Sequence, residues 1–433
     1  MGPPFTTTDH FFPPRVSGGP AGGVKRNPLT GAGCASVPPR GGVVPSPPVT
    51  APSPTPLPPP APAPLFVASE GPLAALLARL DADGAAPVAL DTEADSFHHY
   101  YEKVCLVQVG LGADAFLADP LAGVDLAPLF ARLKARPLLL HGADYDLRLL
   151  FRGYGFRASS LFDTMIAAQL VGEKEIGLAA LLAARVGVSL DKAHQRADWS
   201  ERPLSPSMSA YAAADVVYLP ALVASLKADL EAKGRLAWHA EECARLAGTA
   251  FPEGRAADTE NDWRIKGSNG VSDKERAFVR AFWEVREARA RALDRPPFRV
   301  LTNERLLAAA TLAAKGERDL ARLFPGPRPL PGPFAEALKG AVEAAAVLAP
   351  ADWPKPRRGE RTETDPALER EVDALKKTRD AKAVALGLDP GVLGSRAALT
   401  AAARVKRAHG RLTPELLVAE AGLSRWRSEI LAG

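Results

Sequence analysis

The chain has 433 residues, of which 47% are hydrophobic and 24% are charged. This composition is typical of globular proteins, and the length suits about two to four domains. The three cysteines are far apart in the sequence, which excludes a disulfide framework or a zinc knuckle and favours a reducing compartment. No stretch approaches the ~18 uninterrupted apolar residues of a membrane span, and the N-terminal residues lack the apolar core of a secretory signal. We therefore expect a soluble, cytoplasmic protein with no membrane partner.

The net charge of +4 is unevenly distributed along the chain. Residues 1–64 contain 19 of the 41 prolines and no periodic apolar pattern, which predicts a disordered Pro/Gly-rich tail. Residues 65–250 have a net charge of −6, whereas residues 251–433 have a net charge of +7. Such a split suits a carboxylate site next to a polyanion-binding module, although unequal charge between domains is also common.

From Leu65 to about residue 250 the pattern predicts one α/β domain. A helix is predicted first, over 71–84. Three short runs rich in apolar and β-branched residues then predict an antiparallel meander over 87–94, 103–111 and 115–120. A helix, a buried strand and a second helix follow over 125–137, 137–143 and 144–155. The rest of the domain is predicted to be helical, with one long segment over 207–247.

The strand signal disappears after a predicted linker over 251–262. Residues 286–310 then align without gaps on residues 379–403, at an offset of 93. The identities include Arg286/Arg379, Leu293/Leu386, Pro297/Pro390 and Leu306/Leu399. Alanine-rich helices can align by composition alone, but the shared proline and the unbroken register favour a duplication. We predict two small all-α domains over 263–350 and 366–433.

Two acidic residues in the first meander strand are candidates for function. Asp91 and Glu93 are two positions apart, so on a strand both carboxylates point to the same face. Two anions this close repel each other and need a cation or a wet edge of the sheet. Solvated acids at a strand end are the alternative explanation for the pair.

Further acidic residues occur on two predicted helices. Asp144 is placed to be the N-cap of its helix, and Asp146 follows in the first turn, where it can face the sheet. Tyr211 and Asp215 are i and i+4 and therefore share one helical face, which the three alanines between them keep slim. A core tyrosine and a surface acid are the alternative explanation for this pair.

Together, Asp91, Glu93, Asp146 and Asp215 form a set that suits two divalent cations. Mg²⁺ and Mn²⁺ take oxygen ligands. Two such ions ~3.5–4 Å apart stabilise the attacking and leaving oxygens of phosphodiester cleavage. The seven histidines contain no HExxH or HxH pattern that would compete for this role.

At this point the chain resembles the ribonuclease D family, of the DEDDy group of 3′–5′ exonucleases. The resemblance is carried by DTEADSFHHYYEKVCLVQV, LLLHGADYDLRLL, LFDTMIAAQLV, LDKAHQRADWSERPLSPSMSAYAAADVVYL and WRIKG. The helical repeat resembles the HRDC (helicase-and-RNase-D C-terminal) domain, present twice. The chain departs from the family in the HHYYEK stretch, which is not the arginine-bearing form of typical bacterial members, and in the glycines of the second repeat.

The resemblance implies a ribonuclease-H-like fold and two Mg²⁺ or Mn²⁺ ions. It also implies stepwise release of 5′-mononucleotides from RNA 3′ ends, with tRNA precursors or other structured RNAs as substrates. By motif, Asp91 and Glu93 match the first exonuclease motif, Asp146 the second, and Tyr211 and Asp215 the third. The carboxylates would hold the metals. Tyr211, which at an ordinary pKa of ~10 is protonated at neutral pH, would orient the water or a phosphate oxygen.

Other residues near these motifs are candidates for contact with the substrate. They are Thr92, Gln108, His141, Lys192 and Gln195. Simple solvation is the alternative for Lys192 and Gln195, which precede Asp198 in a loop. Asp163 belongs to the family pattern, but we expect it to cap a helix.

Two alternative functions remain open from the sequence. The first is a DNA 3′–5′ exonuclease or proofreading module, and the second is a non-catalytic nucleic-acid-binding scaffold. A helicase is excluded, because the chain has no GxxxxGK[ST] loop. The charge split further predicts that residues 263–433 hold the substrate while residues 65–250 suffice for the chemistry.

Overall fold

The computed structural model describes residues 63–191, 193–249, 251, 261–355 and 365–433. The predicted tail lies outside these residues except for its last two positions, and so does most of the predicted linker. Lys192 also lies outside them. Within the described residues, a mixed sheet flanked by helices is followed by an all-helical C-terminal part.

The sheet has six strands in the order β1-β4-β3-β2-β5-β6. Their bounds are β1 Leu65–Val67, β2 Val88–Ala94, β3 Val104–Leu111, β4 Asp114–Ala118, β5 Pro137–Leu140 and β6 Ser160–Asp163. β2, β3 and β4 form the antiparallel meander that the sequence predicts, and the other strand pairs are parallel. The sequence pattern does not predict β1 and β6, because runs of three and four residues are too short to show an alternation.

Helices α1 to α8 cover the two faces of this sheet. Their bounds are α1 Glu70–Ala82, α2 Ala127–Lys134, α3 Asp144–Tyr154, α4 Thr164–Val171, α5 Leu178–Arg185, α6 Pro206–Val217, α7 Leu219–Ala232 and α8 Leu236–Ala247. α1, α2 and α3 share a buried cluster with Val88 and Leu90, whereas α4 to α7 share one with Ala89. The alternation along β2 therefore separates the two layers of helices. The long helical segment predicted over 207–247 is three helices.

The start of α3 differs from the prediction. Asp144 is not the N-cap: that position is Ala143, and Asp144 lies inside the helix, where it pairs with Arg148 one turn later. The turn before α3 is instead held by Asp163, whose carboxylate accepts hydrogen bonds from the backbone N–H groups of Gly142 at 3.0 Å and Ala143 at 2.8 Å.

Asp163 also has the capping role that the sequence predicts. Its carboxylate accepts hydrogen bonds from the N–H groups of Met165 and Ile166, the first turn of α4. The side chain is almost completely buried, so its charge is stabilised by four backbone donors. One carboxylate thus fixes the starts of both α3 and α4.

Pro206–Ala232 is long and apolar enough to cross a membrane by length and composition alone, with a mean hydropathy of 1.4. In this fold the stretch is divided at Tyr218 into α6 and α7. Ala213, Val216, Leu219 and Leu222 belong to the buried cluster on the sheet. The hydropathy of the stretch is therefore explained by its position in the core.

The C-terminal helices contain the predicted repeat. Their bounds are α9 Asp273–Ala292, α10 Pro297–Val300, α11 Asn303–Ala314, α12 Leu320–Leu323, α13 Gly332–Ala346, α14 Pro366–Leu386, α15 Pro390–Leu393, α16 Arg396–His409, α17 Pro414–Ala421 and α18 Arg425–Ala432. The starts of α9, α10 and α11 recur 93 residues later as those of α14, α15 and α16. The repeat seen in the sequence is thus a repeat of three helices in the same order.

Hydrogen bonds inside the two copies recur at the same offset. The buried Arg286 guanidinium donates to the carbonyl oxygen of Leu301, and its counterpart Arg379 donates to that of Gly394. Thr302 caps α11 and Ser395 caps α16, each through its hydroxyl. Bonds conserved at one offset are the signature of a duplicated unit, and composition alone does not produce them.

The two helical copies attach to the α/β part in different ways. The second copy continues its core: Ala383, Leu388, Leu393 and Trp426 belong to the same buried cluster as Leu170. The buried cluster of α9 to α13 contains only residues between 263 and 345. Removing everything after residue 250 would therefore expose core surface of the α/β part, so the expected independence of residues 65–250 does not extend to the second copy.

Trp426 is the centre of the second attachment. Its indole stacks on Trp238 of α8 with ring centroids 4.7 Å apart, and its Nε1–H donates to Glu242 at 2.8 Å. Glu242 also accepts a hydrogen bond from Arg427 at 2.7 Å. Stacking and a charge-assisted bond thus act at one buried point.

We predict that Trp426→Ala lowers the free energy of unfolding of the α/β part by about 3–5 kcal/mol, the usual cost of removing a buried tryptophan. Urea unfolding followed by circular dichroism measures this change. Val384→Ala, on the exposed side of α14, is the matched control and should change it by less than about 0.5 kcal/mol. Equal effects of the two substitutions would contradict the shared core.

Candidate active site

Two carboxylates on β2 meet a third on α6. Asp91 and Glu93 share the strand face of Ala89, which packs in the same buried cluster as α6. Asp91, Glu93 and Asp215 each have one carboxylate oxygen that lies within 4.8 Å of those of the other two. The structure therefore brings together residues that are more than 120 positions apart in the sequence.

The close approach of α6 to the sheet depends on small residues. Ala212 and Ala213 are completely buried. A Cβ added to Gly110 of β3 would lie 2.9 Å from the Cβ of Ala89 and 3.1 Å from the carbonyl oxygen of Val216, which is too close for any side chain. Glycine at this position lets the helix lie directly on the strands and carries its functional face to β2.

Asp146 reaches the same region from the other side of the sheet. It is buried in the first turn of α3 and accepts a hydrogen bond of 2.5 Å from the hydroxyl of Thr92. Thr92 points to the α3 side of β2, opposite to its neighbours Asp91 and Glu93. Three of the four predicted metal ligands are thus gathered in one cluster, and Asp146 is held beside it.

Burial and repulsion from neighbouring carboxylates raise the pKa values of these four groups. Burial is the largest cause in each case. The pKa of Asp91 is well above its usual range, that of Glu93 rises to about 9, and those of Asp146 and Asp215 rise to about 7. The charged neighbours that shift the pKa of Asp91 are themselves carboxylates. A cluster of oxygen ligands with this uncompensated charge fits a divalent cation.

Tyr211 lies beside the carboxylates, one helical turn before Asp215. Burial, followed by repulsion from Asp215, raises the pKa of its phenol above the ordinary value, so the group is protonated at neutral pH. Gln195 and Tyr211 line the same cavity, and the Gln195 side chain partly offsets the rise in the pKa of Tyr211. The rings of His194 and Trp199 contact the tyrosine ring, with centroids 5.9 and 6.0 Å away. The loop that contains these three residues therefore forms a wall around Tyr211.

A cavity of about 380 Å³ opens over this cluster. Its lining includes Asp91, Glu93, His141, Gln195, Tyr211 and Asp215. It also includes Glu175, Gly177, Leu190 and Asp191, which the sequence interpretation does not single out. These residues lie outside the helices and strands, so no periodic spacing marks them, and only the acidic run EKE at 173–175 draws attention to one of them.

Thr92 and Gln108, two of the predicted substrate contacts, are buried behind the carboxylates. Thr92 holds Asp146, and the completely buried Gln108 donates from its side-chain amide to Asp91 at 3.3 Å, across the β2–β3 pair. Side chains enclosed in this way position the carboxylates and are not exposed to a substrate. The prediction of substrate contact is corrected for both residues.

His141 lines the cavity as a neutral hydrogen-bond acceptor. Its Nδ1 is 2.9 Å from the hydroxyl of Thr164, which itself donates to the carbonyl oxygen of Leu140. Nδ1 must therefore be the donor, and Nε2 carries the lone pair. Burial lowers the pKa of His141, so this neutral form prevails at neutral pH.

Comparison with known proteins agrees with this arrangement. Residues 66–231 match the 3′–5′ exonuclease family model, and residues 275–329 match that of the HRDC domain. Ribonuclease D from Acidiphilium cryptum is 34% identical over 306 residues, which cover 68% of this chain and 75% of that protein. Ribonuclease D from Jannaschia sp. is 32% identical over 320 residues, which cover 71% and 81%.

The chain belongs to the ribonuclease D family. The solved structure of Escherichia coli RNase D, an exoribonuclease involved in structured RNA processing, is similar with a TM-score of 0.60 and 26% identity. The similarity covers 80% of this chain and 91% of that one. The chain is thus a nuclease of the 3′–5′ exonuclease type, and the predicted fold class, an α/β exonuclease domain followed by helical HRDC-type structure, is confirmed.

We predict that Asp91→Asn stabilises the metal-free protein at alkaline pH. Carboxylates with raised pKa values contribute stability at low pH, and this stability is lost progressively as the pH rises from about 4, where the unfolded chain ionises, through about 7 for Asp215 and about 9 for Glu93, where the folded groups ionise. The substitution removes one charge from this repulsion, so the melting temperatures of variant and wild type should differ more at pH 9 than at pH 5.

The same variant should lose activity about a thousandfold, the effect of several kcal/mol of lost charge stabilisation. The same difference in melting temperature at pH 5 and at pH 9, or full activity of Asp91→Asn, would refute the assignment of Asp91 to the metal site.

We predict that Tyr211→Phe lowers kcat by about 10²–10⁴ without changing the shape of the pH profile, because the protonated phenol orients its partner by a hydrogen bond. Steady-state rates from pH 6 to pH 10 test this. Loss of an alkaline limb in the variant would show that the tyrosine titrates during catalysis.

Proposed function

We propose that this chain is a 3′–5′ exoribonuclease that releases 5′-mononucleotides from RNA 3′ ends by two-metal-ion hydrolysis. We further propose that its substrates are tRNA precursors or other structured RNAs. The observation that carries the proposal is the gathering of Asp91, Glu93 and Asp215 beside the protonated Tyr211 in one cavity. The RNA processing activity of the Escherichia coli relative supports the substrate class.

In this proposal Asp91, Glu93, Asp146 and Asp215 would hold Mg²⁺ or Mn²⁺. Bound ions would supply an activated water and neutralise charge on the phosphate. Asp146 accepts a hydrogen bond from the Thr92 hydroxyl, and the Gln108 amide donates to one carboxylate oxygen of Asp91, so both carboxylates are oriented by buried neighbours.

Tyr211 donates a hydrogen bond to the attacking water or to a phosphate oxygen. Its raised pKa keeps the proton on the phenol, and Gln195 orients the group.

Near the same cavity, α5 begins after Gly177, which has no side chain to occupy the N–H groups of the first helical turn. Those N–H groups suit a phosphate of the substrate, which the helix dipole also favours.

His141 suits the sugar of the terminal nucleotide. Its Nε2 is an acceptor on the cavity wall, and the hydroxyl groups of ribose are donors. The 2′-hydroxyl is the group by which a protein distinguishes RNA from DNA. We infer that His141 contributes to a preference for RNA.

The activity is tested with a 3′-extended tRNA precursor and a DNA strand of the same sequence, both labelled along the chain, with Mg²⁺, with Mn²⁺ and with neither. We expect 5′-mononucleotides to be released stepwise from the RNA only when a divalent cation is present. Internal cleavage, 3′-mononucleotides or faster degradation of the DNA would contradict the proposal, and the last outcome would indicate a DNA exonuclease.

The same assay tests His141. His141→Phe removes the acceptor and should narrow the ratio of RNA to DNA turnover by about tenfold, the value of one hydrogen bond. His409→Gln, on the surface of α16, is the control and should leave the ratio unchanged. An unaltered ratio in His141→Phe would exclude the sugar contact.

A further inference from the structure

The HHYY segment, residues 98–101, lies between the Tyr211 wall and the first helical copy. The wall is part of the active-site loop, which we define as residues 193–202. His98 bonds the carbonyl oxygen of Arg196 in this loop through Nε2 at 2.9 Å. His99 bonds the hydroxyl of Ser200 through Nε2 at 3.0 Å. Both histidines therefore form hydrogen bonds with the active-site loop, and other side chains of this loop contact Tyr211.

The far end of the active-site loop is anchored separately. Arg202 donates to both carboxylate oxygens of Asp119, at 2.6 and 2.7 Å, and to the carbonyl oxygen of Cys105 at 2.6 Å. Trp199 is buried between these contacts and Tyr211. The histidines are thus the described side chains that tie the loop to the helical copy.

His99 reaches that copy through its other ring nitrogen. Nδ1 is 2.7 Å from a carboxylate oxygen of Asp294, directly after α9. The second carboxylate oxygen of Asp294 accepts hydrogen bonds from the backbone N–H groups of Tyr100 at 3.0 Å and Tyr101 at 3.3 Å. One imidazole therefore bridges the active-site loop and the end of α9.

Both ring nitrogens of His99 have to donate in this arrangement. The hydroxyl hydrogen of Ser200 is used in a bond to Asp198, so the Ser200 oxygen is the acceptor for Nε2. The Asp294 carboxylate is the acceptor for Nδ1, and the bond from His99 lowers the pKa of Asp294. The His99 ring therefore lies between two acidic side chains, Asp294 and Asp198.

The backbone of Asp294 gives an independent observation. Its φ is 45°, and it is the non-glycine residue for which the described part of the chain shows a positive φ. At the equivalent position of the second copy, 93 residues later, stands Gly387 with a φ of 64°. The same left-handed turn is thus made with glycine in one copy and with aspartate in the other. An aspartate in this conformation strains the backbone, and its hydrogen bonds to the HHYY segment offset that strain.

We propose that His99 is a positioning residue that couples the docking of the first helical copy to the placement of Tyr211. The coupling runs from Asp294 through His99 and Ser200 to the active-site loop, whose His194 and Trp199 rings contact the ring of Tyr211. The proposed coupling through His99 depends on the proposed exonuclease function only where an effect on turnover is predicted.

Two variants break the bridge without removing core packing. His99→Phe keeps the ring and loses both donors. Asp294→Gly removes the carboxylate and places at the turn the residue that the second copy already uses, so the helix end is preserved. Tyr100→Phe is the matched control, because it removes interdomain hydrogen bonds to Glu287 and Arg291 without touching the loop.

Hydrogen exchange of the full-length protein tests the bridge without reference to activity. Amides of the active-site loop should exchange about tenfold faster in His99→Phe and in Asp294→Gly, and at the wild-type rate in Tyr100→Phe. Unchanged exchange in the first two variants would overturn the proposal. Equal loosening by Tyr100→Phe would also overturn it, because the loop would then respond to docking in general.

Turnover of a short single-stranded RNA tests the consequence. His99→Phe and Asp294→Gly should each lower kcat about tenfold with KM nearly constant, and the double variant should be no slower than either. In a Tyr211→Phe background the His99 substitution should have almost no further effect. Additive losses would overturn the coupling. If the wild-type protein degrades no RNA, the proposed function fails, and the exchange experiment alone decides on the bridge.

Discussion

The crowding of carboxylates at one site is the constraint on which the rest of this structure depends. Asp91, Glu93 and Asp215 each place a carboxylate oxygen within 4.8 Å of the others, and burial, followed by repulsion from neighbouring carboxylates, raises the pKa of each group. The fold imposes the proximity with ordinary means. Strand alternation presents two of the groups, and Gly110 lets α6 approach with the third. Repulsion among the carboxylates would favour the binding of a cation, because each carboxylate attracts the cation and the cation offsets their mutual repulsion.

The two helical copies show how one duplicated unit can serve two physical roles. The second copy is part of the core through Trp426 and its neighbours, and an interface of this kind does not open without exposing apolar surface. The first copy meets the α/β part through hydrogen bonds and charges around His99 and Asp294. Polar contacts of this kind contribute a modest net free energy, so the two parts that they join can move relative to each other more easily than parts that share a core. We therefore place any communication between the helical copies and the active site in the first copy.

Much of the candidate site could be predicted because its signals are local. The spacing of Asp91 and Glu93 on a strand, and of Tyr211 and Asp215 on a helix, determines which side chains share a face. The repeat at an offset of 93 was visible as identities and reappears as equivalent hydrogen bonds. The prediction that Asp144 caps α3 was wrong. The backbone N–H groups of Gly142 and Ala143, which precede that helix, donate to Asp163, about twenty residues later in the chain. Local pattern contains no information about such a partner.

The sequence by itself determined the secondary structure around the site, the set of acidic residues and their likeness to a nuclease family. These properties follow from short-range periodicity and residue chemistry. Only the tertiary structure decided that Thr92 and Gln108 support carboxylates and do not face the substrate, because burial depends on what packs above a residue. It also decided that Asp146 approaches from the opposite layer and that His99 joins a loop to a distant helix. Each of these relations links segments from 17 to 195 residues apart, and such contacts arise only when the chain has closed on itself.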